Sequence, residues 1–206
     1  MASVHSVGAQ GVQTREWAAL AAVAAIIVAG ASNVVATLLV PDVGFLHATI
    51  SNVAAGPYDW VQDLGFYVLA AGLVALAWAM SDVAGTGRPW AVSRIAFVIM
   101  ALALIPIAAV HEYGDGDADK GAVHLESVLV YGVGYMAAML LATRRMKAAD
   151  DRWLWINIAT VVLWLALAAW YFTMEDRWYG LVERVVGAIM LVHIAVLALW
   201  VRSRVR

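Results

Sequence analysis

The chain has 206 residues, of which 64% are hydrophobic and 14% charged, and its mean hydropathy is +0.82. Since a water-soluble domain carries about 25% charged residues, this composition excludes a soluble globular fold and predicts an integral membrane protein. The formal net charge is only −2 and no long basic run occurs, so we expect no nucleic acid partner. The absence of cysteine excludes disulfides, Cys-ligated zinc and iron–sulfur clusters.

Six apolar stretches divide the chain, and each approaches the roughly 20 residues with which a helix crosses a bilayer. In chain order they cover residues 17–40, 58–80, 90–110, 124–143, 153–172 and 180–201. The pattern predicts an all-α fold, a single bundle of six transmembrane helices over residues 17–202. An N-terminal tail at 1–16 and a C-terminal end at 203–206 flank this bundle.

Prolines and glycines add local detail to these spans. Pro57 and Pro89 suit the first turns of the second and third spans, where a missing N–H group costs nothing. Pro106 predicts a kink or an early end of the third span. Small residues let helices approach closely in lipid, and we expect such contacts at Gly65, Gly72, Gly132, Gly134, Gly180 and Gly187.

The basic residues indicate the orientation in the membrane. Most of them fall at one set of span ends: Arg15, Arg88, Arg94, Arg144, Arg145, Lys147, Arg152, Arg202, Arg204 and Arg206. The opposite ends hold only Lys120, Arg177 and Arg184. The positive-inside rule therefore predicts a cell-membrane (inner-membrane) protein whose two termini are both cytoplasmic, with the acid-rich loops outside.

Several segments together resemble a family of bacterial and archaeal six-helix membrane proteins, the domain of unknown function 998 family. The resemblance rests on the run from His47 to Phe66, on His124 at the head of the fourth span, and on the Gly-Leu-Val-Glu-Arg opening of the sixth span at Gly180. Asn52 stands where the family has an acid. The family is distantly similar to the eukaryotic Frag/DRAM/Sfk group, which includes factors of GPI-anchor lipid remodelling, so the resemblance implies lipid-related work.

An acidic loop before the fourth span has the oxygen-ligand spacing of a calcium site. Asp115, Asp117, Asp119 and Glu126 occupy positions 1, 3, 5 and 12 of a twelve-residue loop, as in an EF-hand. Lys120 stands at the sixth position, where the EF-hand turn has glycine. The pattern predicts either a weak Ca²⁺ site or a solvated acidic turn.

A second group of residues could hold zinc at the same membrane face. His111 closes the third span, His124 opens the fourth, and Asp63 lies one turn inside the second. Two His and one carboxylate with a bound water would form a hydrolytic centre, in which Ser51 or Ser127 polarises an oxyanion. The catalytic candidates are Asp63, His124 and Ser127. The alternative is that both His only form hydrogen bonds at the interface.

Polar residues at the outer ends of the second, fourth and sixth spans predict a pocket. Asp63 and Arg184 are placed to pair, while His124, Ser127, Tyr131 and Tyr135 form a stripe at helical spacing. The guanidinium of Arg184 could bind a phosphate or carboxylate. The predicted ligand-binding residues are Asp63, His124, Ser127, Tyr131, Glu183 and Arg184. The alternative is a network that only fixes helix packing.

Polar residues deep in the spans limit which cofactors we expect the chain to bind. His193 is alone at its depth in the sixth span, so we expect an interhelical hydrogen bond there and no haem. Lys120 and Lys147 lie in loops, which argues against retinal, and no nucleotide-binding fingerprint occurs. Any cofactor would be Ca²⁺ or Zn²⁺.

Three functions fit these observations. The first is a lipid- or amphiphile-binding accessory protein with a polar pocket at the extracytoplasmic face. The second is a membrane-embedded, metal-dependent hydrolase or lipid-remodelling enzyme. The third and weakest is a small transporter or channel subunit, because almost all charged residues stop at the membrane faces. Expected partners are membrane lipid and either other membrane proteins or further copies of the chain.

Overall fold

The structure is a computed structural model that describes residues 3–40, 44–83, 87–110 and 118–205. Seven α-helices and two 3₁₀ turns, at Met80–Asp82 and Asp176–Trp178, occupy these ranges, which contain no β-strand. The helices are α1 (Ser3–Leu39), α2 (Ile50–Ala54), α3 (Asp59–Ala79), α4 (Arg88–Ala109), α5 (Ala118–Lys147), α6 (Arg152–Tyr171) and α7 (Tyr179–Arg202).

Six of these helices are long and apolar enough to cross a membrane, which confirms the predicted all-α fold. They comprise residues Gly11–Leu39 of α1, Gly121–Lys147 of α5, and the whole of α3, α4, α6 and α7. The chain is thus a multi-pass membrane protein. The first helix begins earlier than the predicted residue 17, at Ser3, because no proline interrupts the preceding segment.

The six long helices pack side by side in a closed ring. Following the ring, the order is α1, α3, α4, α5, α6 and α7, and α7 returns to pack against α1. At one end, here called the arginine-rich end, Arg15 of α1 donates to the Trp78 carbonyl of α3 at 2.6 Å. The Trp90 indole of α4 lies at the same end, 5.9 Å from the Trp200 ring of α7. The opposite end, which holds α2, is here called the cavity end.

Glycines bring α1 and α3 into close contact, as predicted. A Cβ atom added at Gly65 would lie 3.5 Å from Ala29 Cα and would overlap the Ser32 hydroxyl. A Cβ atom at Gly72 would lie 3.5 Å from Ala22 Cα and overlap the Ala25 methyl group. Small side chains on both helices therefore set their separation.

The short helix α2 crosses the cavity end between α1 and α3. Its cap is Thr49, whose hydroxyl accepts from the Asn52 N–H at 3.0 Å, while Asn52 Oδ1 accepts from the Thr49 N–H at 3.1 Å. This reciprocal pair is a capping box, which satisfies donors at a helix start. The cap fixes the residues that follow it, including Ser51, relative to the ring.

Prolines affect the helix ends in different ways. Pro57 precedes α3, which begins at Asp59, while Pro89 lies in the first turn of α4. Helix α4 continues through Pro106 and ends three residues later, with the Val110 N–H donating to the Pro106 carbonyl at 2.9 Å. The helix therefore passes through Pro106 and ends one residue short of the predicted bound at 110, which leaves the carbonyl of Val110 available to another helix.

Candidate functional site

A cavity of about 390 Å³ lies inside the ring near the cavity end. Residues from α1, α3, α4, α5 and α7 form its walls, and most of these are apolar: Phe66, Leu69, Leu104, Ile107, Met190 and Leu191. Val34 and Val128 also line it and are 44% and 41% exposed, although both lie on membrane-spanning helices. The cavity is therefore open and is not sealed inside the bundle.

Arg184 forms one wall of this cavity and is only 8% exposed. Its Nη1 lies 2.6 Å from the Ala48 carbonyl, 2.9 Å from the Gly180 carbonyl and 3.2 Å from the Phe45 carbonyl. A backbone carbonyl can only accept a hydrogen bond, and the guanidinium supplies the N–H donors. Arg184 thus fastens the segment before α2 to α7.

The remaining contacts of Arg184 reach α1. Its Nε donates to Asn33 Oδ1 at 3.1 Å, and its Nη2 donates to Thr37 Oγ1 at 2.9 Å. All of these acceptors are neutral oxygens, and Asp63 is not one of them. The expected Asp63–Arg184 pair therefore does not form. Because a guanidinium has five N–H donors, these bonds leave one N–H on Nη2, and the two-pronged face of the guanidinium is occupied.

Glu183, the neighbour of Arg184, also lines the cavity and binds protein. Its carboxylate accepts from the Ile50 N–H, the first of α2, at 2.5 Å. A carboxylate at a helix N-terminus satisfies a donor that has no partner within the helix. The adjacent residues Glu183 and Arg184 therefore hold α2 and the preceding loop against α7.

His124 is 3% exposed on the cavity wall and uses both ring nitrogens. Nδ1 lies 2.8 Å from the Val110 carbonyl, and Nε2 lies 3.1 Å from Ser51 Oγ. Since a carbonyl only accepts, Nδ1 carries a proton and, in the neutral ring, Nε2 accepts from the Ser51 hydroxyl. Three separate segments, α2, α4 and α5, meet at this imidazole.

Gln62 of α3 carries hydrogen-bond donors that the described residues leave unused. The residue is 2% exposed and lines the cavity, and its Oε1 accepts from Asn33 Nδ2 at 2.9 Å. Its amide nitrogen makes no hydrogen bond to the part of the chain that the structure describes. Buried polar groups are normally satisfied, so two donors left without a partner among the described residues, on a side chain that lines the cavity, are unusual.

The sequence-predicted site residues divide into two sets. His124, Tyr131, Glu183 and Arg184 line the cavity, whereas Asp63 and Ser127 do not. Ser127 instead donates to the Val123 carbonyl one turn earlier in α5 at 2.7 Å. Gln62 was not predicted. Its periodicity with Phe66 and Leu69 on one face of α3 was the available signal.

The two predicted metal sites depend mostly on residues outside the described ranges. His111, Asp115 and Asp117 fall outside the described residues, as does the side chain of Asp119, so both metal sites stay predictions. Glu126 is exposed. Within the described ranges, no group of three His, Asp or Glu side chains could hold a metal ion.

A second polar cluster lies deeper, toward the arginine-rich end. His193 Nδ1 is 2.8 Å from the Tyr135 hydroxyl, and its Nε2 is 2.9 Å from Asn157 Oδ1. Asn157 in turn donates to Thr143 Oγ1 at 2.9 Å. The interhelical hydrogen bond predicted for His193 is thus present, and it joins α5, α6 and α7 below the cavity.

Comparison with known proteins identifies the family but no activity. The sequence profile described as "Protein of unknown function (DUF998)" matches residues 9–200. No curated protein and no solved structure gives a match. Because the matched region covers nearly the whole chain, the protein belongs to the DUF998 family of proteins of unknown function.

Proposed function

We propose that the protein binds a single-chain amphiphile, or one acyl chain of a larger lipid, in the cavity inside the ring. The observation that carries this proposal is an open, largely apolar cavity of about 390 Å³ among membrane-spanning helices. Small-molecule sites are typically about 300–1,000 Å³ with apolar walls and a few polar groups. An apolar chain entering from the bilayer would never cross water.

The polar end of the ligand would be a hydrogen-bond acceptor. Among the described residues, the unused donors on the wall are the two N–H groups of Gln62, the hydroxyl of Tyr131 and one N–H of Arg184 Nη2. The donors of Arg184 are largely spent on the protein, so an unshared phosphate is a poorer fit than a neutral carbonyl. An ester or amide carbonyl next to an acyl chain suits this lining.

The distribution of basic residues supports an outward-facing cavity. The arginine-rich end would lie in the cytoplasm under the positive-inside rule. The cavity end would then face away from the cytoplasm, and its ligand would come from the outer leaflet. In this reading the protein is an accessory lipid-binding protein of the cell membrane.

Filling the cavity tests the proposal. Gly187 lines the cavity, and a Cβ atom there would meet only Ile50 Cδ1 at 3.9 Å, so Gly187→Phe places a ring in the cavity with little strain. The matched control is Gly11→Phe, where nothing lies within 4 Å of the added Cβ atom. Lipids retained on the protein in mild detergent are measured by native mass spectrometry.

We expect wild type and Gly11→Phe to retain lipid at about one molecule per chain, and Gly187→Phe to retain roughly tenfold less, because a phenyl ring occupies space that the acyl chain needs. Thermal melting of both variants checks that they fold. Equal retention in the folded Gly187→Phe protein would show that the bound lipid lies elsewhere.

A further inference from the structure

We propose that Ser51 and His124 form a nucleophile–base pair that cleaves the acyl ester of an amphiphile held in the cavity. This inference rests on the proposed ligand site and adds a reaction to it. Ser51 Oγ lies 3.1 Å from His124 Nε2, and both residues line the cavity. A hydroxyl within about 2.6–3.2 Å of an imidazole nitrogen is the arrangement that activates a serine nucleophile.

The imidazole is held in the orientation that a general base needs. Its Nδ1–H donates to the Val110 carbonyl at 2.8 Å, which leaves Nε2 unprotonated and directed at Ser51. The third group of a catalytic triad has this same task of fixing the tautomer and the ring. The carbonyl is free to do so because α4 ends just before Val110.

The serine is also held in place. Ser51 lies in the first turn of α2, whose start is fixed by the Thr49 capping box and by the Glu183 carboxylate on the Ile50 N–H. Ser127, three residues after His124 in the chain, pairs with no imidazole among the described residues, and its hydroxyl donates to the Val123 carbonyl. The geometry thus distinguishes two serines that the sequence leaves equivalent.

The reaction is an acyl transfer to water. The Ser51 oxygen bonds to the ester carbonyl carbon as its proton passes to His124 Nε2. The ester C–O bond then breaks, and the leaving alcohol takes that proton. Water, activated by the same nitrogen, hydrolyses the acyl-serine to a fatty acid and regenerates the hydroxyl. Donors on the cavity wall such as Gln62 Nε2–H would stabilise the carbonyl oxygen as it gains charge.

The test uses the full-length protein in detergent with a fluorophosphonate carrying an alkyl chain, which labels activated serines. We expect one adduct on Ser51, found by peptide mass spectrometry, in wild type and in the matched control Ser127→Ala. Ser51→Ala should take no label. His124→Gln should label at least roughly 100-fold more slowly, since a positioned general base contributes about 10²–10⁴-fold.

Lipid retention, measured on the same samples, distinguishes this inference from the ligand site itself. Ser127→Ala is expected to retain lipid like wild type, because Ser127 does not line the cavity and its hydroxyl donates to the Val123 carbonyl. Lipid retention without any serine label in wild type, or label that persists in Ser51→Ala, would overturn the hydrolytic pair and leave the ligand site standing. If folded wild type neither retains lipid nor takes up label, the ligand site and the hydrolytic pair are both overturned.

Discussion

At the scale of single residues, the site depends on how buried polar groups share hydrogen bonds. Arg184 is a charged residue on the cavity wall, yet it donates chiefly to carbonyls of its own chain. Gln62 is uncharged, yet its amide nitrogen is unsatisfied by the described residues. The donor most available to a ligand is therefore the uncharged Gln62 amide, which would bind a hydrogen-bond acceptor.

Replacing Gln62 by Leu tests that selection. Wild type should bind the ketone analogue of monoolein, whose carbonyl cannot be hydrolysed, more tightly than the matching oleyl glycerol ether, which lacks the carbonyl. The preference should be about two- to tenfold, since one neutral hydrogen bond contributes roughly 0.5–1.5 kcal/mol. In Gln62→Leu the two affinities should become equal. Competition against a fluorescent fatty acid measures both.

The exposed residue Gln13 provides the control, because Gln13→Leu changes the same side chain far from the cavity. It should keep the wild-type ratio of ketone to ether affinity. An unchanged ratio in Gln62→Leu would show that the ligand carbonyl lies away from this amide.

Gln62 also shows why the site was harder to predict than the fold. Six apolar runs are long enough that errors of a few residues do not change the number of helices. A side chain on a helix, in contrast, turns by about 100° from one residue to the next, so Asp63 and Gln62 face different surroundings. The sequence makes the charged residue conspicuous, but only the packed neighbours decide which of the two meets the cavity.

At the scale of helices, glycine contacts control how closely α1 and α3 approach. Gly72→Ala places a methyl group against Ala25, and overpacking of this kind costs roughly 1–3 kcal/mol. Gly30→Ala, on α1, meets nothing within 4 Å and should stabilise the helix by about 0.5–1 kcal/mol. Thermal unfolding in detergent should therefore shift in opposite directions for the two variants.

The two melting temperatures are expected to shift in opposite directions, so the comparison does not depend on the choice of detergent. If both variants melted at the same temperature, the close approach of α1 and α3 at Gly72 would not contribute to stability. Small residues at i and i+7 predicted this contact from sequence. The partner α1 could not be predicted, because Ala22, Ala25 and Ala29 are equally suited to face any neighbour or lipid.

At the scale of the whole molecule, the absence of cysteine makes orientation directly measurable. Thr173 and Ser203 are both exposed, and each hydroxyl donates to a carbonyl three residues earlier, so they are a matched pair at opposite ends of the ring. With a membrane-impermeant maleimide, Thr173→Cys should react in intact cells. Ser203→Cys should react only after permeabilisation, because the arginine-rich end is predicted to be cytoplasmic.

Labelling of Ser203→Cys in intact cells would reverse the predicted orientation. The fold, the cavity and the Ser51–His124 pair would stand unchanged, but the ligand would then be drawn from the cytoplasmic leaflet. The topology in the membrane and the chemistry of the site are therefore separate questions with separate measurements.

The closure of the ring by α7 has a consequence for biosynthesis. Arg184 binds Asn33 and Thr37, which lie 151 and 147 positions earlier in the chain. At about 5–20 residues per second, a ribosome needs roughly 8–30 s to span that distance. Through that interval both side chains are in the nascent protein without the arginine that will bind them. The site is consequently completed only when α7 is made. A chain released before α7 would leave Asn33 and Thr37 without Arg184, and the cell's quality control could recognise these exposed polar groups.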